Sequence, residues 1–431
     1  MLWSNIITTS VVLAGVPSAM GYPGMGEQMA EIMRRDNDEF DSKELLGDLI
    51  TLPDDKLTPT AADIKKILTG SGTPQSTVGW NAPSLGSAAC KKDTCCVWQY
   101  IVNDMVKDFR GPSGRCTSWA RRAVRLGFHD AGTWSKTTAA QGQPGGADGS
   151  LCLTDEINRA DNNGLQDICQ KVNGWYNTWN KQKGYPVSLA DIIQMGATVA
   201  TVVCPLGPRI KSYVGRVDVA KPGPPNLLPG VDQSADDLIA LFRDKTIGPH
   251  SLTALVGAHT TSQQFFVNTT RAGDPQDSTP GVWDVLFYGQ TLGTKPAPPR
   301  VFKFNSDIAL SKHPQTAPEW KKFASAGGQQ DWNEIDSHIT IFFIQDFAAG
   351  YIRLSMLGLS NINSLTECTK VLPGGTPSYN PKDQSNIDKW LATADQSPTA
   401  KKISNALHDG ASLLGWIFNL INGILGGLLK S

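Results

Sequence analysis

A mainly helical fold with long connecting loops is what this sequence predicts, on three observations. Apolar residues recur at helical spacing in Val97–Phe109, Ser118–Phe128, Ser188–Val203, Ala235–Lys245, Pro249–Leu255 and Ile335–Met356. Strand-type alternation is scarce. Gly (42) and Pro (27) make up about 16% of the 431 residues, where ~12% is typical, so loops must be many. The length allows one large domain or two to three smaller ones. Lys+Arg number 39 and Asp+Glu 40, a net charge of −1, so no nucleic-acid partner is expected from bulk charge. The composition also excludes collagen, a coiled coil and a polytopic membrane protein.

Taken in order, residues 1–19 read as a secretory signal peptide. Ile6–Val16 is mostly apolar and Ser18-Ala19 offers small residues for cleavage. No Lys or Arg precedes the apolar run, and a buried N-terminal strand or helix is the alternative. Residues 20–89 read as an arm or linker. Glu39–Ile50 suggests a short helix, Ala61–Leu68 another started by Thr58-Pro59-Thr60, and Ser71–Ala89 a linker. An ordered arm wrapped over the core fits the same residues.

The span 90–375 reads as the functional domain. It holds all eight cysteines, at 90, 95, 96, 116, 152, 169, 204 and 368. No CxxC pair occurs, which argues against a zinc ribbon or a thioredoxin-type motif. In an exported chain, eight thiols imply four disulfides, of which sequence alone leaves about 105 pairings open. Asn268-Thr269-Thr270 is a glycosylation sequon. Residues 376–431 read as a polar linker to about 400, followed by an apolar tail. Within Ala411–Leu429, Leu413, Ile417, Leu420, Ile424 and Leu428 recur at helical spacing. Three readings compete for it: a helix packed on the protein or a partner, a helix associated with a membrane surface or cell wall, and a cleaved lipid-anchor signal.

Two histidine segments carry the chemistry. In Arg121–Asp130, Arg125 and His129 are four apart and share a helical face. A base beside a fixed cation suits an oxygen–oxygen bond: the imidazole moves a proton between the two oxygens, and the guanidinium stabilises charge on the leaving one. A surface or helix-end pair of polar groups has the same spacing. The loop Gly145–Ser150 then offers carboxylate, hydroxyl and carbonyl oxygens for calcium, without EF-hand spacing. A plain polar turn is its alternative. In Leu252–Thr261, an apolar helix face ends in His259, which suits an axial haem ligand or a core histidine. Asp277–Asp284 again supplies spaced oxygen ligands.

The blocks RLGFHDA, GGADGS, GAHT, DSTPGVWD and LTECTKVLP, in that order, resemble the plant-type haem peroxidases. The detail is similar to the fungal secreted class II branch, which includes lignin, manganese, versatile and generic peroxidases. The resemblance runs from about Cys90 to Pro373. It implies a two-lobed helical fold with haem b between the lobes and two Ca²⁺. It implies that His129 is the distal acid–base, Arg125 the distal cation and Phe128 the aromatic shielding the haem. Glu156 and Asn162 match the pair that orients the distal histidine through its other ring nitrogen. His259 matches the proximal iron ligand, and Asp307 the carboxylate that makes that imidazole a stronger donor. Asp130, Gly146, Asp148 and Ser150 match one calcium site. Thr260, Asp277, Thr279, Val282 and Asp284 match the other. By the same resemblance the bridges are Cys95–Cys368, Cys116–Cys204 and Cys90–Cys96, with Cys152–Cys169 an extra local one.

The departures concern the reducing substrate. Where manganese peroxidases carry two glutamates and an aspartate, this chain has Ser118, Arg122 and Phe265. Where lignin peroxidases carry a surface tryptophan, it has Ala254; Trp119, Trp134 and Trp283 are substitutes in principle. Gln276 stands where the family often has a proximal Phe. The implied activity is a secreted, generic-type peroxidase taking hydrogen peroxide and phenolic or other small aromatic donors. The competing readings are a non-catalytic surface or adhesion protein that keeps the fold, and a non-haem metal hydrolase; the absence of HExxH weighs against the latter.

Overall fold

Helix starts in this chain are set by side chains. Thr58, Thr117, Ser188 and Ser234 each precede a helix and accept a hydrogen bond from the N–H three residues on. The computed structural model describes residues 41–333, 346–380 and 384–393, with 404, 406, 410 and 411. The signal expected at 1–19 and the apolar tail beyond Ala411 lie outside the described residues. The longer helices are α1 (Pro59–Leu68), α2 (Cys95–Phe109), α3 (Ser118–Ala131), α4 (Gln166–Tyr176), α5 (Leu189–Val203), α6 (Ala235–Arg243), α7 (Pro249–Val256), α8 (Leu286–Leu292), α9 (Asn305–Lys312), α10 (Ala317–Phe323), α11 (Asp346–Ser355) and α12 (Gln384–Leu391). The fold is mainly α. Strand structure among the described residues is one antiparallel pair, Tyr213–Val214 (β1) with Thr366–Glu367 (β2).

The packing forms two groups of helices. In the first, α5 is buried along its whole length, and α2, α3 and α4 pack around it. A helix apolar on every side belongs in such an interior. In the second, α6 to α10 pack on one another. Helix α11 touches α7, α3 and α1, and so joins the two groups. One hydrophobic cluster runs through both. Four disulfides close the chain: Cys90–Cys96, Cys95–Cys368, Cys116–Cys204 and Cys152–Cys169. No helix among the described residues is long and apolar enough to cross a membrane.

Of the two readings of the N-terminal stretch, residues 41–89 take the packed one. Leu46, Leu49, Ala61, Ile64, Ile67 and Leu68 are buried in the common core. Arg353 of α11 donates to the main-chain oxygens of Ser42, Glu44 and Leu68, which fastens the arm. The helix expected over Glu39–Ile50 is only a 3₁₀ turn at Gly47–Ile50 within the described part. Gly47 has φ +55°, which a continuing helix cannot use. The polar stretch 376–400 is not a linker throughout, because α12 buries Ile387, Trp390 and Leu391. The helix expected over Ile335–Met356 is described from Asp346 to Ser355; residues 334–345 lie outside the described residues.

Candidate active site

Helix α3 positions the first half of the site. It can lie tightly on α5 because Gly127 has no side chain: a Cβ there would stand 2.7 Å from that of Ala197. Gln194 of α5 donates to the carbonyl of Gly127 at 3.0 Å, and Tyr351 of α11 donates to Gln194 at 2.9 Å. Three helices thus fix the backbone two residues before His129.

His129 is buried, at 8% exposure. Its Nδ1 lies 2.9 Å from Oδ1 of Asn162. An amide oxygen only accepts, so Nδ1 carries the proton and Nε2 presents a lone pair. Arg125 donates from Nε to that Nε2 at 3.1 Å and anchors its other nitrogens on the carbonyls of Asn163 and Asp161. Burial, then the neighbouring guanidinium, hold the His129 imidazole well below its ordinary pKa. Burial also lowers Arg125, to about 10, which leaves it cationic at neutral pH. The site therefore combines a neutral base with a fixed positive charge on the same side.

Asn162 is held in turn by its amide, which donates to the main-chain oxygen of Glu156 at 2.8 Å. The Glu156 carboxylate points elsewhere. It accepts from Gly223 N at 2.7 Å and from the Ser150 hydroxyl at 3.4 Å. Glu156 therefore reaches Asn162 through its backbone, and the 145–150 loop through its side chain. Phe128 is half-buried, edge-on to His129 and stacked on Phe242 with centroids 6.1 Å apart.

His259 follows α7 on a 3₁₀ turn. Its Nδ1 lies 3.1 and 3.2 Å from the two oxygens of Asp307 on α9. Asp307 is 1% exposed while the His259 side chain is 35% exposed. Phe287 and Phe304 meet the imidazole edge-on, each at 5.6 Å. One ring nitrogen is thus closed by a buried carboxylate. The other, Nε2, makes no hydrogen bond to the described residues. That is the donor arrangement an axial haem ligand needs, so the residues present fit haem. Gln276, beside Ser262 one turn on, has a buried Nε2 with no acceptor among the described residues.

The two oxygen-rich loops adjoin the histidines. Asp130 and Asp148 are buried, and Asp130 accepts from Gly149 N and Leu151 N. Asp148 accepts from Ser150 N at 2.9 Å, and the carbonyl of Gly146 accepts from Asp148 N at 2.8 Å. Burial, then the charge of Asp148, push Asp130 well up. In the second loop, Thr260 donates to Asp277 and Asp284. Thr279 donates to Asp277 from both backbone and side chain, and its carbonyl accepts from Val282 N. Burial, then Asp284, push Asp277 well up, and burial pushes Asp284 up to about 6. Neither carboxylate pair has a Lys or Arg ion-pair partner among the described residues. Buried carboxylates side by side without a cationic side chain fit a divalent cation of the calcium type.

Sequence reasoning missed Phe242, Phe287 and Phe304. Phe304 directly precedes the helix that carries Asp307, whereas Phe242 and Phe287 had no local signal. At the substrate-related positions, Ser118 is buried, Arg122 pairs with Asp167 at 3.1 Å, and Phe265 is half-buried. Ala254 is fully buried. Trp283 is also fully buried and stacks on Trp332 at 5.3 Å, so it belongs to the core. Trp119 and Trp134 are half-buried, and Lys171 stands 4.8 Å above the Trp119 ring.

Comparison with known proteins adds the following. The peroxidase family profile matches residues 101–326. The chain is 30% identical over 306 residues to a peroxidase of Arthromyces ramosus, covering 67% of this chain and 78% of that protein. It is 29% identical over 323 residues to ligninase C of Trametes versicolor, covering 70% and 80%. It is 29% identical over 296 residues to manganese peroxidase 3 of Phlebia radiata, covering 64% and 76%.

Proposed function

Because this chain belongs to the peroxidase family, among fungal class II relatives, and is a haem peroxidase, we propose that it is a secreted enzyme of the generic type. It reduces hydrogen peroxide and oxidises phenolic or other small aromatic donors in one-electron steps. The observation that carries this reading is the joined geometry of Arg125, His129 and Asn162. Asn162 keeps the proton on Nδ1, so Nε2 of His129 is the acceptor. That nitrogen takes the proton from one peroxide oxygen and returns it to the other, which leaves as water. Arg125, cationic and anchored, stabilises the negative charge that grows on the leaving oxygen. His259 would hold haem b through Nε2, with Asp307 fixing the ring and raising its basicity. When bound, haem supplies the two electrons that break the oxygen–oxygen bond and recovers them singly from the donor.

Asp130, Gly146, Asp148 and Ser150 would hold one Ca²⁺, and Thr260, Asp277, Thr279, Val282 and Asp284 the other. Asp130 adjoins His129 and Thr260 adjoins His259, so both ions would brace the catalytic helix ends. The four disulfides support an oxidising, extracellular location. The generic assignment rests on Ser118, Arg122 and Phe265, which offer no carboxylate for Mn²⁺, and on the buried Ala254, which offers no surface electron relay.

The purified protein is expected to show a haem Soret band that shifts on adding peroxide. His129→Leu should slow that shift by roughly 10²–10⁴-fold, the usual worth of a positioned acid–base. A phenolic dye should turn over, with little Mn²⁺-dependent activity. Absence of a Soret band after haem reconstitution would overturn the enzyme's proposed chemistry, and saturable Mn²⁺ oxidation would overturn the generic assignment.

A further inference from the structure

His250, Glu319 and Asp346 meet among α7, α10 and α11, and share no residue with the two calcium-type loops. His250 is the second residue of α7, Glu319 lies in the first turn of α10, and Asp346 opens α11. All three are buried, at 4%, 1% and 2% exposure. Nε2 of His250 stands 3.4 Å from Oε1 of Glu319 and 3.4 Å from Oδ2 of Asp346. The three ligand atoms lie within 4.8 Å of one another.

The two Nε2–oxygen spacings are long for hydrogen bonds and match those of ligand atoms around a shared cation. A charge-assisted N–H···O⁻ bond is about 2.7–2.9 Å long. A tetrahedral ion with bonds of about 2.0–2.2 Å to N and O holds its ligand atoms about 3.4 Å apart. One described neighbour agrees. Asp41 of the N-terminal arm stands 3.7 Å from His250 Nδ1, on the side where metal-bound histidines keep a carboxylate partner. Among the described residues, Lys322 stands 3.6 Å from Glu319.

We propose that His250, Glu319 and Asp346 form a metal site separate from the two calcium sites, taking a zinc-class divalent cation through one imidazole nitrogen and two carboxylate oxygens. The imidazole is what separates it from a calcium site, since calcium takes oxygen ligands. A water or a further donor completes four-coordination. The ion clamps α7, α10 and α11, three helices from different parts of the chain, at the start of the helix whose end leads into the His259 turn.

The test uses the holoenzyme with calcium kept in excess, so that the calcium loops do not take up the probe. The protein is equilibrated with zinc sulfate and desalted, and its zinc is measured against haem iron by mass spectrometry. One zinc per chain is expected in the wild type and none in His250→Leu, with a zinc-dependent rise in Tm in the wild type only. Glu319→Gln serves if His250→Leu does not fold. X-ray absorption at the zinc edge of the wild type should give N/O ligands at about 2.0–2.1 Å, including imidazole. No retained zinc in the wild type, an unchanged zinc content in the variants, or a shell without imidazole would each overturn the site.

Discussion

Asn162 shows how much of this site depends on one neutral side chain. Its oxygen selects the tautomer of His129 and its amide ties that choice to the backbone of Glu156. Asn162→Ala removes the tautomer lock without touching the base itself. Loss of such a supporting contact commonly costs about 10–100-fold, so the peroxide-driven Soret shift should slow by that factor. Phenol binding should be unchanged. A rate equal to wild type would show that Arg125 alone orients the imidazole. At this scale the sequence was legible where a residue acts through its immediate neighbours, as Arg125 and His129 do on one helical face. It was not legible for Glu156. Its side chain and backbone serve different partners, and only three-dimensional proximity to Gly223 separates the two roles.

At the scale of elements, the close crossing of α3 on α5 carries the histidine. Gly127→Ala should cost about 1–3 kcal/mol, because a methyl group there overpacks the contact with Ala197. It should also slow the peroxide reaction by shifting His129. Gly174→Ala on α4 is the control: a Cβ there meets nothing within 4 Å, and removing a helical glycine should stabilise by about 0.5–1 kcal/mol. Denaturant unfolding of both variants checks the pair, and a Gly127→Ala protein as stable as wild type would show that the crossing can relax. Helices α2, α3, α5 and α6 were legible as periodicity, whereas the amphipathic α4 was missed; Thr58, Thr117, Ser188 and Ser234 mark starts by their own chemistry. Helices α8, α9 and α10 were not, since seven or eight residues give barely two turns of pattern. The expected helix at 39–50 failed for the opposite reason. Its apolar residues suit a packed arm equally well, and Gly47 settles the backbone.

Across the whole molecule, Cys95–Cys368 spans 273 residues and Cys90–Cys96 only 6. Chain-entropy reasoning gives about 5.6 kcal/mol for the long loop and about 2 kcal/mol for the short one. Replacing Cys95 and Cys368 by serine should therefore lower the urea midpoint more than replacing Cys90 and Cys96. Equal effects would show that the reduced chain keeps these ends together without the bond. Along the chain, the order of motifs pointed to the helical class, the two histidines and their oxygen-rich loops, because each histidine segment and each loop is read from consecutive residues. Tertiary structure alone decided that residues 41–89 pack as an arm under Arg353, that α11 joins the two helix groups, and that His250 meets Glu319 and Asp346. Those contacts join residues far apart in the chain, and no local pattern encodes which buried polar groups will face each other.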